Sequence, residues 1–129
     1  MSVDIQKTTI ITFQGDTCSV TFNDLDEGDL IGFEVRNKNT NKPVFDELRQ
    51  IVDINGEVTF IITPSLSNLF EVDISKGYNL YLYGLKRINT ITGAEDTILL
   101  GDNPKFEDKY YLKVYLKKVE GNIEENGAN

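Results

Sequence analysis

The chain has 129 residues, with 21 acidic side chains, 13 basic ones and no histidine, so its formal net charge is −8. Nucleic acids and anionic membranes attract basic surface, so this acidic balance argues against both as partners. The lack of histidine excludes a Ser-His-Asp triad and, with a single cysteine, argues against a zinc site.

The length suits one domain, and no apolar run is long enough to span a bilayer. Residues 1–7 lack the basic segment followed by an apolar one that marks a secretory signal, so we expect synthesis in a cytoplasm. We predict an N-terminal arm at residues 1–7 and a β-sandwich domain at residues 8–119. From residue 120 the composition shifts to Gly, Asn and Glu, which indicates a polar, acidic C-terminal tail at residues 120–129.

Period-2 alternation, with turn residues between the runs, predicts strands along most of the chain. Cys18 alternates with Val20 and Phe22, so we expect it to be a small buried core residue. It has no cysteine to pair with and no histidine to activate it as a nucleophile. Strand patterns occupy residues 8–13, 17–22, 31–36, 47–54, 57–63, 77–86, 97–101 and 110–119.

Asn55-Gly56 separates two of these runs and is a strong hairpin signal, because a type I′ turn needs positive φ at both central residues. We therefore predict that residues 47–54 pair with residues 57–63. Pro64 then interrupts the strand pattern, and apolar residues at positions 66, 69 and 70 follow at helical spacing. This predicts a single helical turn across one end of the sandwich.

The strand at residues 77–86 carries bulky side chains on both sides of its alternation, which is typical of a central strand. We predict that its even-numbered residues face the sandwich interior and that Tyr81 and Tyr83 face outward. On the last strand, Tyr111 and Tyr115 lie opposite the apolar row and are also expected to face outward. These four tyrosines are the candidate interface residues.

Three interpretations of this tyrosine set stay open. In the first, the strands at residues 77–86 and 110–119 pair and their tyrosine rings cover each other. In the second, the rings form a protein interface, where tyrosine is enriched. In the third, they form a platform on which a sugar ring stacks, since a tyrosine presents an apolar body with a polar tip.

The densest acidic cluster lies at residues 24–29 and invites comparison with a calcium-binding loop. It fails the EF-hand pattern, because Gly28 and Asp29 stand in reverse order and Glu34 falls one position short. A solvated turn is expected, with a calcium site of another type as the alternative. Nothing in the sequence places one carboxylate of a pair in an apolar pocket, as a glycosidase requires, and no glycine-rich phosphate loop occurs. We therefore expect no catalytic residue, no metal and no cofactor.

The pattern of about seven to nine short strands, with near-regular turns and one helical turn, predicts an all-β fold. More specifically, it indicates an antiparallel β-sandwich of the immunoglobulin-like type. The chain has no tryptophan and only one cysteine, so the disulfide signature of antibody domains is absent. If the domain is immunoglobulin-like, we expect it to belong to the type that has no disulfide.

Short motifs that each combine a strand with a turn follow one another along residues 8–119. They are Gly15-Asp16-Thr17, Phe33 with Val35, Gly56 with Val58 and Phe60, Thr63-Pro64, Gly77-Tyr78 with Tyr81, and Thr97-Ile98-Leu99-Leu100-Gly101. In this order they resemble a family of small phage structural proteins. Its members are the immunoglobulin-like N-terminal domains of baseplate upper proteins and related head-fibre or tail-fibre modules.

The resemblance implies a non-enzymatic structural protein of a tailed bacteriophage virion, on the head, the tail or the baseplate. Its partners would be other virion proteins and copies of itself, and it would reach the virion after synthesis in the host cytoplasm. The family has no catalytic residue to carry over. The alternative is a carbohydrate-binding or adhesive module that recognises a host surface glycan through the tyrosines.

Overall fold

The computed structural model describes residues 9–99 and 111–116. The predicted arm at residues 1–7, the predicted tail at residues 120–129, and parts of the strands predicted at either end of residues 100–110 lie outside the described residues. Within the described ranges the chain forms, in order, β1 (Thr9–Phe13), β2 (Cys18–Phe22), β3 (Leu30–Asn37), β4 (Leu48–Ile51), β5 (Val58–Ile62), α1 (Pro64–Ser67), β6 (Tyr78–Ile88), β7 (Glu95–Leu99) and β8 (Tyr111–Tyr115).

The described strands form two sheets, which confirms the predicted all-β sandwich. The larger sheet has the order β1-β8-β6-β3-β4, with β7 also on β6, and the smaller sheet is β2-β5. Pairing is antiparallel except between β1 and β8, which run parallel. On one side β6 pairs with β3, and on the other it pairs with β8 along residues 78–82 and with β7 along residues 85–88.

The Asn55-Gly56 turn joins the two sheets instead of closing a hairpin, so the predicted pairing of its flanking runs is wrong. β4 pairs with β3, whereas β5 pairs with β2. Asn55 lacks the positive φ that a type I′ turn requires, and Gly56 alone of the two has it, at +75°. The N–H of Val52 donates to the carbonyl of Asp29 at 2.9 Å, which holds the residue after β4 against the loop that precedes β3.

An aromatic cluster fills the space between the sheets. Phe33 of β3 stacks on Phe60 of β5 with ring centroids 5.2 Å apart, and Phe22 of β2 lies 5.9 Å from Phe33. All three are buried, and burying each ring stabilises the fold by about 1.5–3 kcal/mol. Cys18 is buried on the same side of β2, as predicted from the alternation of that strand.

The predicted helical turn is present as α1, beside the turn between β1 and β2. The side-chain oxygen of Thr63 accepts from the N–H of Leu66 at 3.4 Å, and a proline follows in the first turn. The buried hydroxyl of Ser67 accepts from the N–H of Gly15 at 2.9 Å and donates to the carbonyl of Phe13 at 3.3 Å. These two bonds fix α1 to the turn between β1 and β2.

Candidate functional site

Two of the four candidate tyrosines are core residues, so the prediction that Tyr81 and Tyr83 face outward is wrong. Tyr81 is 2% exposed and Tyr83 is 3% exposed. Their register partners, Leu112 and Val35, are buried as well. Both sides of β6 are bulky, so the alternation does not tell which side is buried, and an error of one residue exchanges the faces.

The two buried tyrosines hold the sandwich together. The hydroxyl of Tyr81 accepts from the N–H of Glu71 at 2.7 Å and donates to the carbonyl of Glu71 at 2.9 Å. This arrangement is similar to the tyrosine corner of immunoglobulin-type sandwiches. Burial raises the pKa of the Tyr81 phenol. Tyr83 joins the aromatic cluster, with its ring 5.9 Å from that of Phe33.

Tyr111 and Tyr115 lie on the outer side of the larger sheet, as predicted, and are half-buried there. The two registers of β8 align Tyr115 with Phe13 on β1 and with Tyr78 on β6. The ring centroids of Phe13 and Tyr115 are 5.7 Å apart, and those of Tyr115 and Tyr78 are 6.0 Å apart. Three strands thus contribute one continuous row of rings.

A cation lies against this row. Lys113 is aligned between Ile11 of β1 and Leu80 of β6 in the next row of the sheet. Its Nζ lies 4.3 Å from the ring centroid of Tyr78 and 5.1 Å from that of Tyr115. A cation–π contact at an exposed site contributes about 0.5–1 kcal/mol, so the ammonium is held over the rings instead of extending into solvent.

We call this surface the aromatic face, and it includes exposed apolar area. Phe13 is 46% exposed and Ile11 is 61% exposed. At its far end, the Nζ of Lys38 lies 5.8 Å from the ring centroid of Tyr111. The aromatic face consists of Ile11, Phe13, Tyr78, Tyr111, Lys113 and Tyr115.

Sequence reasoning found Tyr111 and Tyr115 but missed Phe13 and Tyr78. Tyr78 was predicted to face inward, with the other even-numbered residues of β6, and that prediction is wrong for the reason given above. Phe13 was not considered, because its place beside Tyr115 depends on a parallel pairing between the first and last strands. Strands so far apart in sequence carry no local signal of their pairing.

The other half of the same outer surface is a network of ion pairs. The Nζ of Lys86 lies 2.6 Å from Glu47, 3.1 Å from Glu95 and 3.8 Å from Glu34. The hydrogen bond to Glu47 raises the pKa of Lys86. Burial acts to raise the pKa of Glu47, but hydrogen bonds from Lys86 and Arg49 outweigh it and lower that pKa. Each carboxylate has a basic partner, so the network supplies no poised general acid or base.

The acidic turn at residues 24–29 lies beside Arg87. Its guanidinium is 3.5 Å from Asp29, 3.8 Å from Asp26 and 3.7 Å from Asp96. Exposed pairs at these separations are worth about 0–1 kcal/mol. Among the residues that the structure describes, no group of three or more His, Cys, Asp or Glu side chains is arranged to hold a metal ion.

A shallow cavity of about 180 Å³ opens beside the tyrosine corner. It lies between the loop at residues 37–44 and the segment after α1, and Lys42, Leu69, Glu71 and Tyr81 contribute to its lining. The lining contains no histidine, no cysteine and no pair of carboxylates. It therefore lacks a histidine-activated nucleophile and the two carboxylates of glycoside hydrolysis.

In the described part of the chain, no helix is long and apolar enough to cross a membrane. The aromatic face combines three rings in contact, an ammonium over two of them, and exposed apolar side chains. Comparison with protein-family models finds no family that matches the chain, and no curated protein matches it in sequence.

Proposed function

We propose that this protein is a non-enzymatic docking module that binds other proteins through its aromatic face. The observation that carries the proposal is the row formed by Phe13, Tyr115 and Tyr78, with the ammonium of Lys113 over two of its rings. Protein interfaces are enriched in aromatic side chains, and a few such anchors supply most of the binding energy. These anchors stand on a paired sheet, so little conformational freedom is lost when a partner binds.

The partner that fits this face is a protein surface with apolar side chains and a carboxylate. The chain as a whole carries a charge of −8, but Lys113 and Lys38 place positive charge at the rings. A carboxylate that approaches Lys113 gains a charge-assisted contact while apolar groups cover Phe13. Such complementarity favours specificity and a fast association rate more than it adds raw affinity.

The setting that we propose is the virion of a tailed bacteriophage, with the protein as a head-fibre, capsid-attached, tail or baseplate component made in the host cytoplasm. The support is the order of the strand-and-turn motifs along the chain, on an all-β sandwich. Three of those motifs contain a glycine with positive φ, at Gly15, Gly56 and Gly77. The proposed partners are other virion proteins and further copies of this chain.

A glycan competes with a protein as the occupant of these rings, because an aromatic ring face also accepts a sugar. The ammonium of Lys113 already lies over Tyr78 and Tyr115, which takes up stacking surface and favours the protein partner. A glycan array probed with the wild type and with Tyr115→Ala separates the two. Glycan binding that is lost in Tyr115→Ala would contradict the docking proposal and support the adhesive module.

The docking proposal is tested by incorporation of the chain into particles of the virus that encodes it. Lys113→Glu reverses the charge at the rings, and Tyr115→Ala removes the centre of the row. The matched control is Ile61→Ala, which truncates an exposed apolar side chain on the outer side of the smaller sheet. Purified particles are probed by immunoblotting, after thermal unfolding has shown that each variant is folded.

We expect both variants of the aromatic face to reduce the incorporated chain about tenfold or more, because losing a central anchor costs about 2 kcal/mol or more and about 1.4 kcal/mol is already tenfold. Ile61→Ala should be incorporated like the wild type. Full incorporation of Lys113→Glu and Tyr115→Ala would contradict docking through this face. Absence of the wild-type chain from the particles would contradict the virion setting.

A further inference from the structure

One end of the larger sheet carries an apolar row on its outer side. Leu30 of β3 is aligned with Ile51 of β4 on one side and with Ile88 of β6 on the other. Side chains that are aligned across neighbouring strands point to the same side of a sheet. Gly32 and Lys86 are aligned two positions further along, so the row lies on the outer side, next to the ion pairs of Lys86.

Two turns extend this row beyond the sheet. Ile54 follows β4 and is 79% exposed, and Ile91 follows β6 and is 92% exposed. Single exposed apolar side chains are common on protein surfaces, but here two turn tips and the exposed Ile51 lie at the same end of one sheet. We call this surface the isoleucine end, and it consists of Leu30, Ile51, Ile54, Ile88 and Ile91.

Hydrogen bonds from the side chains of two residues hold both turns in place. The Oδ1 of Asp53 accepts from the N–H of Asn55 and from that of Glu57, both at 2.9 Å. The Oδ1 of Asn89 accepts from the N–H of Ile91 at 2.9 Å. The turn tips are therefore fixed before a partner arrives, so little conformational freedom is lost on binding.

Carboxylates surround the isoleucine end. The N–H of Gly28 donates to the carbonyl of Val52 at 3.0 Å, which places the acidic turn at residues 24–29 beside the turn that carries Ile54. The segments 23–29, 52–57 and 88–96 contain eight acidic side chains and no basic one. Lys86 and Arg87 of β6 neutralise a part of this charge, so the end as a whole stays negative.

We infer that the isoleucine end is a second docking surface, and that its partner is a protein surface with apolar side chains among lysines or arginines. Apolar groups at the centre with charged groups at the rim are the usual arrangement of a protein interface. The carboxylates favour a basic partner, because complementary charge speeds association and suppresses wrong partners. A second copy of the chain fits less well, since each copy carries a charge of −8.

The isoleucine end goes beyond the proposed function, because it takes a partner of the opposite charge. The aromatic face, with Lys113, includes Tyr78 at the start of β6, whereas Ile88 ends the same strand, ten residues further along. At about 3.3 Å per residue, the two residues are about 33 Å apart. The chain can therefore hold two proteins at once, as a connector between a basic partner and an acidic one.

The experiment is a titration of the isotope-labelled full chain with synthetic peptides, followed by the NMR chemical shifts of the backbone amides. One short peptide alternates Lys and Leu, a second of equal length alternates Glu and Leu, and a third alternates Lys and Ser. The first peptide offers basic and apolar groups together. Each of the other two lacks one of them.

Two variants alter the isoleucine end itself. The double variant Ile54→Ser/Ile91→Ser truncates both turn tips, and because both side chains are exposed the fold should be retained. Asp53→Asn removes one charge but keeps the Oδ1 that holds the turn. Thermal unfolding of each variant checks that it is folded.

The matched control is Ile74→Ser, at the other end of β6. Ile74 is 81% exposed and lies in the turn that precedes Tyr78. This turn is built in the same way, because Asp73 accepts from the N–H of Ser75 at 3.0 Å. The control therefore removes an equally exposed isoleucine from a similar turn that does not belong to the isoleucine end.

We expect the Lys-Leu peptide to shift the amide signals of residues 51–55 and 88–93. Its affinity for the double variant should be at least about tenfold lower, as is usual when apolar anchors are truncated, whereas Ile74→Ser should bind like the wild type. Asp53→Asn should bind more weakly at low salt, where charge contributes most. The Glu-Leu and Lys-Ser peptides should bind the wild type at least about tenfold more weakly than the Lys-Leu peptide.

Equal binding of the Lys-Leu peptide by the double variant and by Ile74→Ser would overturn the inference, and so would shifts confined to the aromatic face. Equal binding of the Glu-Leu peptide would overturn the choice of a basic partner. Signals of residues 51–55 and 88–93 that move with protein concentration alone would show that a second copy occupies this end. None of these results bears on the aromatic face, because incorporation of Lys113→Glu into particles tests that role separately.

Discussion

A single oxygen atom, the hydroxyl of Tyr81, fixes the corner between β5 and β6. It satisfies the N–H and the carbonyl of Glu71, 10 residues earlier in the chain. The ring of the same side chain packs 4.9 Å from that of Phe70. A partly buried backbone group that loses its partner costs about 1–3 kcal/mol, so the hydroxyl and the ring make separate contributions to stability.

Tyr81→Phe should therefore lower the free energy of unfolding by about 1–3 kcal/mol, because the ring remains and both bonds to Glu71 are lost. Urea denaturation followed by circular dichroism measures the change. Tyr115→Phe is the matched control, since Tyr115 lies on the outer surface and such changes usually stay within about 0.5 kcal/mol. Equal, small effects of the two substitutions would show that the corner does not depend on the hydroxyl.

The same substitution should also change how the free energy of unfolding depends on pH. Burial raises the native pKa of the Tyr81 phenol above its ordinary value of 10.0. The neutral phenol thus stabilises the fold fully below about pH 10, and this stability falls as the pH rises through the native pKa. The wild type should lose more stability than Tyr81→Phe over that alkaline range.

At the scale of the element, β2 and β6 show what a sequence can predict and where it stops. In β2 one side is apolar and the other is Thr and Ser, so the alternation identified Cys18, Val20 and Phe22 as inward-facing. In β6 both sides carry large side chains, so the same rule could not choose between them and placed Tyr81 and Tyr83 wrongly. The number and type of elements were predictable, whereas the buried side of a central strand was not.

A second limit on prediction from the sequence is the distance along the chain between strands that pair. The turn between β4 and β5 shows this limit, and so does the aromatic face. Asn55-Gly56 is a local hairpin signal, but its two strands belong to different sheets because each finds a better partner elsewhere. The outward position of Tyr115 was predictable from the apolar row beside it. Its contact with Phe13 was not, because it depends on pairing between the two ends of the domain.

Gly56→Ala should destabilise the fold more than Gly93→Ala does, although both glycines have positive φ. An L side chain in this left-handed region costs about 1–2 kcal/mol at either position. A Cβ at Gly56 would also lie 2.8 Å from the carbonyl oxygen of Leu25, a backbone atom, whereas a Cβ at Gly93 would meet nothing within 4 Å. The difference in free energy of unfolding between the two variants measures the steric contribution, and equal losses would contradict it.

For the whole molecule, the distribution of charge sets the aromatic face apart from the net charge of the chain. The net charge is −8, yet the aromatic face carries Lys113 and has Lys38 at its far end. Attraction between Lys113 and a carboxylate favours contact through the face. Contact through the aromatic face should therefore weaken as the ionic strength rises.

Added salt should weaken capture of an acidic partner protein by the aromatic face. At about 1 M salt the screening length falls to about 3 Å, which removes most of the attraction between Lys113 and the partner. A binding assay at low and high salt measures the effect. Capture that is unchanged at high salt would show that Lys113 does not attract the partner.

The parallel pairing of β1 with β8 also determines how the domain would carry a load. Thr9 is aligned with Tyr111 and Phe13 with Tyr115, so the described chain enters β1 at one end of the sandwich and leaves β8 at the other. A pull applied at Thr9 and Leu116 acts along both strands, in opposite directions. It stretches every bond between the two strands at once instead of opening them one by one. The domain is therefore arranged to resist tension along its length, with β1 and β8 as the clamp.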